Sequence, residues 1–187
     1  NINDADRYFQ INKKANVLEH LGLKENGYFL VTAHRQENVD DKNRFQGILS
    51  SLQQLAKDYE MPVIYPIHPR SLKKMEEFRL KSDSIQLVPP QDLFGFLQLE
   101  QNARLVLTDS GGVQEETCIL GSPCVTLRNN TERPETLDAG SNVLAGTHPE
   151  DIIDSVSIML HKERGGDNPF GDGTSGKKII KILEERL

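Results

Sequence analysis

At 187 residues, with 36% apolar and 27% charged side chains, the chain has material for one full core, or for one domain and a tail. Its net charge of −6 comes without a basic stripe, which excludes a nucleic-acid surface, and no apolar run reaches the ~20 residues of a membrane helix. Two cysteines, Cys118 and Cys124, have no His or Cys at ligand spacing; they exclude a zinc site and a disulfide framework and read as reduced, buried thiols. With no signal peptide in view, the expectation is a cytoplasmic protein. The chain opens Asn1-Ile2-Asn3 without an initiator Met, which reads as a piece of a longer polypeptide or a trimmed terminus.

Residues 5–21 have helical spacing, with Leu18 and Leu21 on one side and Gly22 as the stop. A first strand is expected over 28–32, a polar loop over 34–40 and an amphipathic helix over 44–59. A second strand follows over 62–67, a charged helix over 71–80, and a third strand over 85–88 closed by Pro89-Pro90. A short helix over 93–101 leads to a fourth strand at 104–108, and a further helix opens directly after it. The fifth strand is placed at 124–127, a polar loop runs through Arg133-Pro134, the sixth strand lies at 142–145 and a helix at 150–161. A glycine-rich stretch over 165–176 separates these from a last helix over 177–186. The expected division is a linker helix over 1–25, a ligand-binding domain over 26–164, and a hinge with a terminal helix over 165–187. Short apolar strands alternating with helices predict an α/β fold: a Rossmann-like parallel sheet with helices on both faces. Ligands bind such sheets at the carboxyl ends of the strands, near the point where the strand order reverses.

The polar clusters of the chain fall at those ends. His34-Arg35-Gln36-Glu37-Asn38 follows the first strand and His68-Pro69-Arg70 the second. Gln91 and Phe96 follow the third, and Asp109-Ser110-Gly111-Gly112 the fourth. Arg128 through Glu135 follows the fifth. Two glycines where a strand turns into a helix let a ligand approach the backbone and leave the first helical N–H groups for an anion. Ser110 adds a hydroxyl donor, and Glu115 and Glu116, about one turn on, are placed to accept from vicinal sugar hydroxyls. Phosphate at the turn and ribose one turn later is the geometry of a nucleotide site. The guanidinium of Arg133 suits a diphosphate, or pairs with Glu132 or Glu135. His34 is expected to face the ligand, His68 either to do so or to sit in a rigid turn beside Pro69. His20, His148 and His161 are expected at the surface, and the basic groups Lys73-Lys74 and Lys177-Lys178 on solvated helix faces.

These motifs, together with Thr131-Glu132-Arg133-Pro134-Glu135 and Asn142-Val143-Leu144-Ala145-Gly146, resemble the signature set of the non-hydrolysing UDP-N-acetylglucosamine 2-epimerases, in the family's order. The resemblance covers nearly the whole chain and is to the C-terminal half of a two-domain, GT-B-like architecture with its active site in the cleft between the halves. It implies that Ser110, Gly111 and Gly112 hold a UDP diphosphate with His34 and Arg133, that Glu116 accepts from the ribose, and that Gln91 and Phe96 frame the uracil. Of this chain's residues, only His34 is then a candidate for the chemistry itself; the carboxylates that move the proton at sugar carbon 2 are expected on the N-terminal half. The implied partners are a UDP-sugar, that other half and a second copy in a homodimer, with no cofactor and no metal, in a pathway feeding polysaccharide synthesis. The chain departs from the family's usual motifs at Gln36, where a second Arg is common, at Asp40, where a Gly is common, and at His68-Pro69-Arg70, where bacterial members commonly carry His-Leu-Asn-Pro and some use that His in an allosteric substrate site. Competing readings are the nucleotide-sugar half of a glycosyltransferase and a non-catalytic nucleotide-binding module.

Overall fold

The computed structural model describes residues 16–162, 165 and 168–186. Most of the helix expected over 5–21, and Gly166 of the glycine-rich stretch, lie outside the described residues.

Six parallel strands form one sheet: β1 (Phe29–Thr32), β2 (Val63–Pro66), β3 (Ile85–Val88), β4 (Leu105–Thr108), β5 (Cys124–Thr126) and β6 (Asn142–Leu144), in the spatial order β3-β2-β1-β4-β5-β6. Every residue of β1 and β4 is buried, whereas β3 and β6, at the sheet edges, are only partly so. Central strands covered on both faces must be apolar throughout, which is why they read as continuous apolar runs rather than alternating ones.

The helices divide between the two faces. Phe29, Val31, Tyr65 and Leu107 point to one side, where α3 (Lys42–Asp58) contributes Phe45, Ile48 and Leu52 and α8 (Pro149–Leu160) contributes Ile152 and Val156. Leu30, Ile64 and Val106 point to the other and meet Val17 of α1 (Val17–His20), Leu99 of α5 (Leu93–Asn102) and Val113 of α6 (Gly111–Leu120). Burying each such side chain contributes roughly 1.5–3 kcal/mol, so the strand–helix contacts dominate the stability of the fold. Cys118 and Cys124 are both free and buried, and burial pushes the Cys124 thiol up to about 12.

Helix starts follow local chemistry. Asp41 accepts from the Arg44 amide at the start of α3, and Asp92 from the Gly95 amide at the start of α5. The helix after β2, α4 (Pro69–Phe78), begins two residues before the expected start, because Pro69 sets the first helical φ and the His68 ring accepts from the Arg70 amide at 3.2 Å.

Two short helices correct the sequence reading. The segment expected as a polar loop over 34–40 contains α2 (Gln36–Val39), and the loop through Arg133-Pro134 turns into α7 (Pro134–Asp138). Four and five residues cannot display a helical period; tertiary hydrogen bonds hold both. The last helix is α9 (Ser175–Glu184), with no buried residue among those described.

Candidate functional site

β1 and β4 lie side by side although 72 residues separate Thr32 from Leu105, and the strand order reverses between them. At the carboxyl end of this seam the Thr32 and Thr108 hydroxyls share a 2.6 Å hydrogen bond, and Thr108 Oγ1 accepts from the Ser110 amide at 3.0 Å.

Asp109, fully buried, locks the two strand ends together. Its carboxylate accepts from the backbone amides of His34 (3.0 and 3.2 Å) and Arg35 (2.9 Å) and from Asn38 Nδ2 (3.1 Å). The His34 ring stands 3.4 Å from the same carboxylate through Nδ1, with half of its side chain exposed. Asn38 also donates to the Leu127 carbonyl at the end of β5, so one amide ties three strand ends. The sequence marked Asp109 only as part of the turn; what it missed was a carboxylate with no solvent and three hydrogen-bond donors.

The turn itself is open. Ser110 precedes α6 without its hydroxyl capping the helix, and the first helical amides have no intrahelical acceptor. Gly111 and Gly112 have ordinary negative φ, and a Cβ on either would meet nothing nearer than 3.8 Å. Among the described residues, neither turn geometry nor packing therefore demands glycine here. Beside Gly111 lie the side chains of Glu132 and Arg133, the latter ion-paired with Glu115 rather than with Glu132 or Glu135. Glu132 instead forks onto Arg128 through two 2.8 Å bonds and lies 3.6 Å from Arg35. The hydrogen bonds from Arg128 hold the Glu132 carboxyl down at about 2. Arg128 is only 5% exposed, and its second anionic neighbour is Glu37, 3.3 Å from Nε. Behind α6, Gln114 Oε1 accepts from Thr131 Oγ1 (2.5 Å) and from Asn142 Nδ2 (3.3 Å), and Asn142 reaches Thr126 and Thr136 as well. Thr131 and Asn142, two of the motif residues, are thus the ties that hold the loop after β5 against the glycine turn.

A cavity of about 230 Å³ opens beside the turn, bounded by His34, Tyr65, His68, Pro90, Phe96 and Val113. His34 and Phe96 share its wall, as the sequence grouped them, and His68 faces the same space from the start of α4. Tyr65 donates to the Ala33 carbonyl, which also accepts from Ser71 at 2.9 Å; burial raises its phenol far above the usual range. Gln91 donates to the Pro89 carbonyl at 2.8 Å and lies over Gly95, one helical turn from the start of α5. Glu116 is half-buried on α6. Burial raises its carboxyl, as it raises that of Glu100 on α5, which it faces. His20, His148 and His161 are exposed.

The three positions that depart from the family's usual motifs meet in space. Arg70 Nη2 donates to Asp40 at 2.6 Å, and the Gln36 amide oxygen, in the orientation that satisfies both of its ends, accepts from both terminal nitrogens of Arg70 at 3.1 Å.

A doubly wound parallel sheet with an open glycine turn at a helix N-terminus, set at the reversal of strand order, defines a Rossmann-like domain. The family model for UDP-N-acetylglucosamine 2-epimerase matches residues 2–184, and the chain belongs to that family. It is 49% identical over 164 residues to the UDP-N-acetylglucosamine 2-epimerase of Methanocaldococcus jannaschii, covering 85% of this chain and 45% of that protein. A crystal structure of the M. jannaschii enzyme in complex with UDP-GlcNAc and UDP superposes with a TM-score of 0.88 at 44% identity, covering 98% of this chain and 52% of the other. The UDP-2,3-diacetamido-2,3-dideoxy-D-glucuronate 2-epimerase of Pseudomonas aeruginosa is 37% identical over 165 residues, 87% of this chain and 46% of that one. The chain spans about half the length of the curated relatives it matches.

Proposed function

We propose that this chain is the UDP-binding half of an epimerase that interconverts UDP-GlcNAc and UDP-ManNAc. The observation that carries the reading is the glycine turn: two adjacent glycines that neither φ nor packing requires, at a helix N-terminus, with an uncapping serine beside them. A diphosphate accounts for the empty space and for the free amides together.

In this reading Ser110, Gly111 and Gly112 hold the diphosphate, with His34 and Arg133 alongside. Glu116 accepts from the ribose, and Gln91 and Phe96 frame the uracil. The reaction is elimination followed by re-addition. A base removes the proton at sugar carbon 2, that C–H pair becomes the carbon 1–carbon 2 double bond, and UDP leaves carbon 1 with the bonding electrons. UDP then re-adds at carbon 1 while carbon 2 is protonated on the opposite face. Nothing is oxidised overall, so no redox cofactor enters. Negative charge grows on the diphosphate as the bond breaks, and donors already aimed there stabilise the transition state more than the bound sugar nucleotide. The proton-handling carboxylates belong in this scheme to the other half of the enzyme, and His34 is the one residue here adjacent to the chemistry.

The wider proposals are a homodimer in the cytoplasm and a division into a linker helix (1–25), a UDP-binding domain (26–164) and a hinge with its helix (165–187). The diacetamido-glucuronate relative keeps a second substrate open, because a half that grips UDP does not by itself select the sugar. Calorimetric titration with UDP tests the site: micromolar to millimolar affinity is expected, weakened about tenfold by Ser110→Ala or Arg133→Ala. Absence of binding at millimolar UDP, or affinity untouched by both substitutions, overturns it.

A further inference from the structure

Among the described residues, Glu100 is a buried acid with nothing basic to answer it. It sits in the last turn of α5 with no exposed surface, and neither side-chain oxygen has a hydrogen-bond donor among the described residues. The Ser122 hydroxyl donates to the Glu100 backbone carbonyl at 2.9 Å. What its carboxyl faces is the carboxyl of Glu116 on α6; the other titratable groups around the pair are Glu115, next to Glu116 and paired with Arg133, and the buried thiol of Cys124 on β5.

Two ionised carboxylates in contact, with no cation between them, repel in a low-dielectric interior, and the arrangement persists only if they share a proton. Burial decides which one keeps it. Glu100 has no access to water, whereas Glu116 is only partly buried, so the charge is cheaper to hold on Glu116. A protonated Glu100 is then a donor, and the carboxylate of Glu116 is the acceptor it faces.

We propose that Glu100 is a positioning residue: a neutral carboxylic acid that donates a hydrogen bond to Glu116 and fixes that carboxylate, ionised and in one orientation, as the acceptor for the ribose hydroxyls. The inference rests on the nucleotide reading of the site. A single pinned acceptor oxygen leaves the other free for the ribose, and a carboxylate already held in place loses little freedom when the nucleotide arrives. As pH rises and Glu100 ionises, a second negative charge appears behind Glu116, next to a ligand that is itself anionic.

The test compares UDP with 2′-deoxy-UDP and 3′-deoxy-UDP on the whole chain, for the wild type, Glu100→Gln and Glu100→Leu. The wild type is expected to prefer UDP over at least one deoxy analogue by about tenfold. Glu100→Leu loses that preference while its affinity for the same analogue is unchanged, since only the ribose contact has been loosened. Glu100→Gln, which keeps a donor of the same size, retains the preference and no longer loses UDP affinity at alkaline pH. If Glu100→Leu does not fold, the Glu100→Gln pH profile decides alone: an alkaline limb identical to the wild type's overturns the proposal. Undiminished ribose preference in Glu100→Leu overturns it as well, with the nucleotide site intact. Failure of the wild type to bind UDP at all takes away the nucleotide reading and this inference with it.

Discussion

Gly112 and Gly146 show how one residue type answers two different demands. Gly146 has φ +65°, and a Cβ there would stand 2.6 Å from Asn129 Oδ1, so the fold itself requires glycine. Gly112 has neither constraint. Gly112→Ala is therefore expected to fold with an unchanged or higher Tm, since alanine favours a helix over glycine by roughly 0.5–1 kcal/mol, while UDP affinity falls at least about tenfold. Thermal melting and titration of the one variant check both halves; lost stability with intact binding would assign this glycine to the fold. At this scale the sequence was legible in residue type and only partly in pairing. Ser110, the glycines, His34 and Phe96 were placed correctly relative to the strand ends. That Arg133 pairs with Glu115 and that Glu116 faces a second acid were not readable, because each partner arrives from a different element; that Glu132 pairs with Arg128 was not, because a loop without a regular period does not say which of its side chains meet.

Strands and long helices were legible because their burial imposes a pattern. β1 and β4 are covered on both sides and read as unbroken apolar runs; α3 and α8 each show one apolar stripe because each covers one face. The short helices α2 and α7 escaped, since their residues are chosen for the bonds they make elsewhere: Asn38 of α2 ties Asp109 to Leu127, and Thr136 of α7 ties to Asn142. Asp109 is the hub for the first of these. Asp109→Ala strips the acceptor from buried or half-buried donors on the loop after β1 and is expected to cost about 3–5 kcal/mol of stability, measured by denaturant unfolding. Asp109→Asn keeps the volume but turns an N–H₂ toward those donors, so it is expected to fold less stably than the wild type and to bind UDP more weakly. Binding as tight as the wild type's in Asp109→Asn would separate the loop from the ligand.

On the scale of the molecule, the chain in the reading proposed carries a grip for UDP and none of the carboxylates that move the proton. It is expected to bind UDP yet to leave carbon 2 of UDP-GlcNAc unexchanged: incubation in D2O followed by NMR should show no deuterium at that carbon. Incorporation by this chain alone would place the base within it. The fold class was legible as a whole from the alternation of elements, but which strands are neighbours was not, because parallel pairing joins distant segments. That last point has a consequence for how the molecule comes into being. Pairing Leu30 with Val106 closes a loop of some seventy residues, far more than any other neighbouring pair in the sheet requires. Each flanking trio of strands is nearly contiguous in the chain and can assemble by itself, while their joining waits on the longest search. The nucleotide would meet the protein on that late-made suture, so a population arrested one step short of the native state holds most of the sheet and none of the grip.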